Sequence, residues 1–163
     1  MNPVYFSGAE VIDMAVKIEE NGYAYYSQAV KAAKTKELKA LFKTLANEEH
    51  EHIKVFAGFR KLLRQENAPG FTAYNEEAAG YLSALADTRV FTFVGEGARL
   101  AKAIKSEKQA VQTAIGMEKD SLLFYYELGG MMRGRDRLIL ENLIEQEKTH
   151  LRKLTALLMD VYS

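Results

Sequence analysis

The feature that most constrains this chain is that its second half repeats its first, at polar positions as well as apolar ones. A shift of 99 residues places Ser7 on Ser106, Ala15 on Ala114, Glu19 on Glu118 and Tyr26 on Tyr125. A shift of 98 places Leu41 on Ile139, Leu45 on Leu143, Glu49 on Glu147 and His52 on His150. Self-similarity of this kind marks a duplicated supersecondary unit. Two unrelated amphipathic hairpins would match at apolar positions by chance. They would have no reason to match at residue types that bind metals.

Each unit reads as a helix hairpin. Ser7-Gly8-Ala9-Glu10 is a capping-box pattern. Ala9, Ile12, Ala15, Val16, Gly22, Tyr23 and Tyr26 then recur at helical spacing, predicting a helix to about Lys34. A second helix is predicted from Lys36 to about Gln65, with Leu38, Leu41, Phe42, Leu45, Ile53 and Phe56 as its buried stripe, before Ala68-Pro69-Gly70 breaks the pattern. Ser106-Glu107-Lys108-Gln109 opens the third, which runs to about Met132 with Gly129 and Gly130 weakening its last turns. After Gly134 the fourth extends from about Arg135 to Val161, with Leu138, Leu143, Ile144, Leu151, Leu154 and Leu158 on its apolar side. With only two Pro in 163 residues, long helices are favoured over a turn-rich β fold. The expected fold is all-α: one domain spanning 1–163, a four-helix bundle of two hairpins (about 8–66 and 106–162) joined by a long crossover, 67–105. A connection of that length lets the third helix run parallel to the second. Within it a short helix is predicted from Asn75 to Ala86. Val90-Phe91-Thr92-Phe93-Val94 is too short to span a membrane and reads as an apolar packing strap, shared with a dimer partner.

The chemistry lies in six residues. Glu49 and His52, and again Glu147 and His150, stand at i, i+3 and share one helix face. Leu45 and Phe56 flank the first pair, Leu143 and Leu154 the second. Glu19 lies between Ala15, Gly22 and Tyr26, and Glu118 between Ala114, Ser121 and Tyr125. Four carboxylates pointing into one core are costly unless compensated. Two divalent cations cancel their four charges with both histidines neutral. One Glu from each of two helices plus Glu-x-x-His from each of the other two is a recurring di-iron carboxylate arrangement. A single Glu-x-x-His is usually a solvated helix face. Two, at matched places in a repeat and each about 30 residues after another matched Glu, are not explained that way. Oxygen and imidazole donors suit Fe or Mn, and Zn also fits. His50, Glu51 and Glu20 fall off this face and read as surface. Tyr26 and Tyr125 read equally as core aromatics and as hydroxyl partners of a ligand carboxylate on the opposite helix. The Met residues read as gap fillers.

Other chemistries are excluded by composition. There is no Cys, hence no disulfide, thiolate metal site or iron–sulfur cluster. Acidic and basic residues balance at 22 each, so no global field draws in nucleic acid; Lys31, Lys34, Lys36, Lys39 and Lys43 read as a solvated face. No apolar stretch is long enough to cross a membrane. The opening residues lack the charged start and apolar run of a signal peptide, so the default expectation is cytoplasmic.

Glu19 with Tyr26, Glu49-x-x-His52, Glu118 with Tyr125 and Glu147-x-x-His150 together resemble the ferritin-like superfamily, and more closely its rubrerythrin-like diiron-carboxylate domains. The resemblance covers essentially the whole chain, with 67–105 matched least. It implies two metal ions per chain, most simply iron, held by Glu19, Glu49, His52, Glu118, Glu147 and His150. Tyr26, Tyr125 and Ser121 would lie behind them, with no catalytic residue beyond the metal centre. The activity it implies is an oxidoreductase reacting with peroxide or oxygen, working as a homodimer. Members of the superfamily also store iron, and a bundle holding a redox-inert metal is a third expectation. The best-known rubrerythrins carry a four-Cys rubredoxin module, missing here, so electrons would come from a separate donor protein. They also place a further Glu three residues after the third-helix ligand, an alternative ligand on oxidation. Here that position is Ser121, which implies slower peroxide turnover.

Overall fold

The computed structural model describes residues 7–63, 80–82, 84–85 and 94–162. Helix α1 spans Gly8–Ala32 and α2 spans Lys36–Leu63. A short α3, Glu96–Lys102, precedes α4, Glu107–Met131, and α5, Gly134–Tyr162. No strand occurs among the described residues.

Local chemistry explains where these helices start. Ser7 Oγ accepts from the Glu10 N–H at 3.2 Å, and Glu10 Oε2 accepts from the Ser7 N–H at 2.7 Å, so the predicted box closes on both sides. Ser106 caps α4 by accepting from the Gln109 N–H at 3.1 Å. The return contact differs from expectation, because the Gln109 amide oxygen reaches one residue further and accepts from the Lys105 N–H at 2.8 Å. Glu107 Oε1 accepts from the Lys34 and Thr35 N–H groups at 2.5 and 3.0 Å, tying the turn between α1 and α2 to the start of α4.

The hairpins α1–α2 and α4–α5 pack as a four-helix bundle, with α1 against α4 and α2 against α5. Residues Glu19 and Tyr26 of α1 pair with Tyr125 and Glu118 of α4, so these two helices are antiparallel and α4 runs the same way as α2. The apolar core divides in two along the bundle. One part gathers Ile12, Ile18, Phe56, Phe59, Phe124 and Leu128; the other gathers Tyr25, Phe42, Leu45, Val111, Ala114 and Leu154. Between them lies a layer of buried Glu and His.

Several expectations need correcting. Tyr23 is 41 % exposed, and the buried residue is Tyr25, whose hydroxyl donates to the Ala110 carbonyl at 2.6 Å. Leu138 stands outside the core, and Leu140 is fully buried in its stead. The first helix stops at Ala32 rather than Lys34. Of the short crossover helix, residues 80–82 and 84–85 are helical and the rest lies outside the described residues, as do residues 90–93 of the apolar run; Val94 is in an exposed turn. Helix α3 was not anticipated. It packs on α1, where the Gly97 N–H donates to Asn21 Oδ1 at 3.2 Å. The five lysines from Lys31 to Lys43 are all exposed, as expected.

Gly97 has no room for a side chain: a Cβ there would collide with the Asn21 main chain, whereas one on Gly116 of α4 would meet nothing within 4 Å. Gly97→Ala should therefore lower the melting temperature, since overpacking against backbone costs about 1–3 kcal/mol. Gly116→Ala should raise it, by up to about 1 kcal/mol of helix propensity. Thermal melts of both variants check this, and equal melts would refute the tight α1–α3 seam.

Candidate metal centre

The polar layer is built by register. Glu19, Glu49, Glu118 and Glu147 each sit near the middle of their helix, and His52 and His150 follow three residues after their Glu, nearly one turn on. All six are at most 5 % exposed. Each helix thus delivers its polar side chains to one level, where they meet.

Two overlapping sets form. Glu19, Glu49, His52 and Glu147 can each offer one atom to a common point, as can Glu49, Glu118, Glu147 and His150; within each set these atoms lie within 4.8 Å of one another. Glu49 and Glu147 belong to both. The His52 Nδ1 atom lies 2.7 Å from Glu147 Oε1 and 3.3 Å from Glu19 Oε2. His150 Nδ1 lies 3.2 Å from Glu147 Oε2, 3.3 Å from Glu49 Oε1 and 3.6 Å from Glu118 Oε2. The two imidazoles stack, with ring centres 5.6 Å apart.

These approaches are not hydrogen bonds. Glu19 Oε2, Glu49 Oε1, both Glu147 oxygens and both Nδ1 atoms are buried without a hydrogen-bond partner. Buried polar atoms are nearly always paired. A group of unpaired donor atoms converging on two points is what a pair of cations would satisfy. Hard oxygens with one imidazole each form a donor set suited to Fe or Mn. The residues fit such a group.

The electrostatics agree. Burial pushes the Glu49 carboxyl well above its ordinary range, and the charges of Glu147, Glu19 and Glu118 push it further. Glu118 is raised to about 8, by burial first and then by Glu147. Burial opposes the charged imidazoles, but contacts with Glu147 and Glu19 prevail at His52 and raise it to about 12. Contacts with Glu118 and Glu147 raise His150 to about 10. Burial likewise opposes ionisation of Glu147, yet His150 and His52 beside it hold its carboxyl well below the usual range. With only protons to draw on, this cluster takes them up as countercharge.

The other candidates fall into place around it. The Tyr26 hydroxyl donates to Glu118 Oε1, and the Tyr125 hydroxyl to Glu19 Oε1, each across the α1–α4 interface. Both phenols are pushed well above their ordinary range, by burial first and then by the neighbouring carboxylates, so they keep their protons. Ser121 is buried, but its hydroxyl donates to the Met117 carbonyl at 3.0 Å, within its own helix. Gly22, at the matching place in α1, leaves space for Glu49: a Cβ there would come within 2.8 Å of Glu49 Oε2. His50, Glu51 and Glu20 are exposed. Two residues were missed. Gln146 Oε1 lies 3.0 Å from His52 Nε2, and Glu48 Oε2 lies 2.9 Å from His150 Nε2. Their signal was present in the repeat, since a shift of 98 places Glu48 on Gln146.

Stability of the chelator-stripped protein should fall as pH rises from 6 to 9. Glu118, raised from 4.5 to about 8, contributes fully below 4.5, and that contribution is lost as pH climbs to about 8. The histidines contribute fully below 6.5 and lose it on the way to about 10 and 12. Metal-loaded protein should melt higher and vary less over this range, because cations replace the protons. Melting curves of both forms at pH 6, 7, 8 and 9 test this. Superimposed curves, or a stripped form that gains stability with pH, would contradict a buried, proton-compensated cluster.

Comparison with known proteins agrees with this geometry. A family model described as rubrerythrin matches residues 10–158. The fold is similar to a crystal structure of a candidate ferritin-like diiron-carboxylate protein from Thermotoga maritima, at 28 % identity and a TM-score of 0.71, covering 96 % of this chain and 97 % of that one. No curated protein sequence matches. Among the described residues no helix is long and apolar enough to cross a membrane. With the family match running through all four bundle helices, the chain belongs to the rubrerythrin family.

Proposed function

We propose that this protein is a diiron-carboxylate oxidoreductase of rubrerythrin type, reacting with peroxide or oxygen and drawing its electrons from a separate donor protein. The observation that carries the reading is the pair of overlapping donor sets sharing Glu49 and Glu147. In this reading Glu49 and Glu147 would serve both positions, Glu19 and His52 would complete one, and Glu118 and His150 the other. When bound, such a pair supplies two adjacent Lewis-acid centres able to exchange electrons with an O–O bond.

The chain's own groups prepare that chemistry. Tyr26 and Tyr125 hold Glu118 and Glu19 by charge-assisted hydrogen bonds, fixing which carboxylate oxygen remains for the ion. Burial and the neighbouring carboxylates keep both hydroxyls protonated, so these two hydrogen bonds persist when Glu118 and Glu19 are ionised. The apolar clusters above and below exclude water, which strengthens every charge interaction between them. The chain holds no Cys to carry electrons, which supports an external donor. Leu123 and Tyr126, exposed three residues apart on α4, would contribute apolar surface to a homodimer.

Purified protein should hold close to two iron ions per chain, and changing Glu49 and Glu147 together to Ala should abolish binding. Elemental analysis of both proteins decides it: unchanged metal content in the double variant would defeat the shared-ligand assignment. Sedimentation of the same preparation should show a dimer, whereas a 24-subunit particle would favour iron storage.

Ser121 offers no carboxylate, and its hydroxyl is engaged with Met117. Oxidation of the iron-loaded protein by peroxide should accordingly be slow. Ser121→Glu should speed it by roughly tenfold, the low end of what ligand-sphere changes produce. Stopped-flow comparison tests this, and a wild type already as fast as the variant would remove any role for this position.

A further inference from the structure

The repeat makes the two halves of the site nearly equal, and it is broken at the partners of the imidazole nitrogens that face away from the carboxylates. Both rings turn Nδ1 toward the carboxylates and Nε2 outward. The Nε2 atom of His52 is hydrogen-bonded with the neutral amide of Gln146, at 3.0 Å. His150 Nε2 instead faces an anion, Glu48 Oε2, at 2.9 Å. That approach lies off the ring's N–H direction, so it is a charge contact rather than a formed hydrogen bond. Lys153 also approaches Glu48, at 4.0 Å, but both side chains are more than a third exposed, and solvated ion pairs of this kind offset little of a charge.

We propose that Glu48 and Gln146 are positioning residues that make the two metal positions inequivalent. The position of Glu49, Glu118, Glu147 and His150 then binds first and more tightly than that of Glu19, Glu49, His52 and Glu147. This deepens, and rests on, the dimetal reading above. An imidazole that gives electron density to a cation through Nδ1 becomes more positive at Nε2–H. An anion beside that group stabilises the shift more than a neutral amide does, because its full charge attracts the growing positive charge at 2.9 Å beside a buried ring, where the effective dielectric is below that of water. Glu48 also adds a fifth negative charge beside one position only, beyond the four that two divalent ions cancel. Partners behind metal-bound histidines typically alter affinity by about 10–100-fold. Glu48 is 38 % exposed at its side chain, which places its effect toward the lower end of that range.

The test is titration of chelator-stripped, full-length protein with cobalt(II) alone at pH 7, followed by calorimetry and by visible absorption. Wild type should bind in two steps whose dissociation constants differ by about tenfold or more. Glu48→Gln should weaken the first step by about tenfold and leave the second within about threefold, while Gln146→Glu should tighten the second. Glu48 is partly solvated, so the isosteric change leaves the fold intact, and a helical circular dichroism spectrum verifies this. Two equal steps in wild type would overturn the proposal while leaving the dimetal reading standing, as would variants that leave both constants unchanged or weaken both equally. Absence of any cobalt binding in wild type would overturn the dimetal reading itself, and this inference with it.

Discussion

The structure depends on one costly arrangement, four carboxylates and two imidazoles buried at the middle of a hydrophobic bundle. Each buried ion carries a penalty of several kcal/mol that only opposite charge or hydrogen bonds can offset. Much else follows from that. The apolar core splits into two clusters because a polar layer lies between them. Gly22 has no side chain because the Glu49 carboxylate occupies the space. Two tyrosines are fully buried with their hydroxyls on Glu19 and Glu118 because a buried carboxylate oxygen needs a donor.

The duplication makes this arrangement economical. One hairpin supplies a Glu with its Tyr from its first helix and a Glu-x-x-His from its second, and a second copy completes the cage. The tyrosines exchange across the interface, each serving the carboxylate of the other hairpin, so neither hairpin alone satisfies its own polar groups. The symmetry is loosest where the constraint is weakest. Gly22 faces Ser121 in the repeat, and Glu48 faces Gln146, both outside the set of six. Changes at these places adjust the site without dismantling it.

Much of the fold and the site was legible in the residues. A capping box and helical spacing locate both ends of α1 and the start of α2 to within two residues, because such signals are local; the expected end of α2 near Gln65 lies outside the described residues. Errors arose where a side chain's partner comes from elsewhere in the chain. Tyr23 and Tyr25 stand on either side of the helix face that reaches the core, and only the position of α4, whose Ala110 carbonyl receives Tyr25, selects between them. Glu48 and Gln146 fall on the half-exposed side of their helices, where Glu and Gln are ordinary; they gain meaning only when α2 and α5 bring each beside the other's imidazole. Helix α3 has seven residues and little period to detect, and its docking depends on Gly97 meeting Asn21.

By itself the sequence determined four long amphipathic helices in two related hairpins and six candidate ligand side chains on their inner faces. Backbone hydrogen bonding fixes 3.6 residues per turn wherever a helix forms, so spacing along the chain becomes direction in space. Tertiary structure alone decided how the six divide: Glu49 and Glu147 in both sets, the other four in one each. It also decided which imidazole nitrogen faces inward. These outcomes depend on the separation and rotation of whole helices. The packing of apolar side chains on either side of the polar layer, such as Phe56, Phe42 and Leu128, sets both, and no local pattern encodes them.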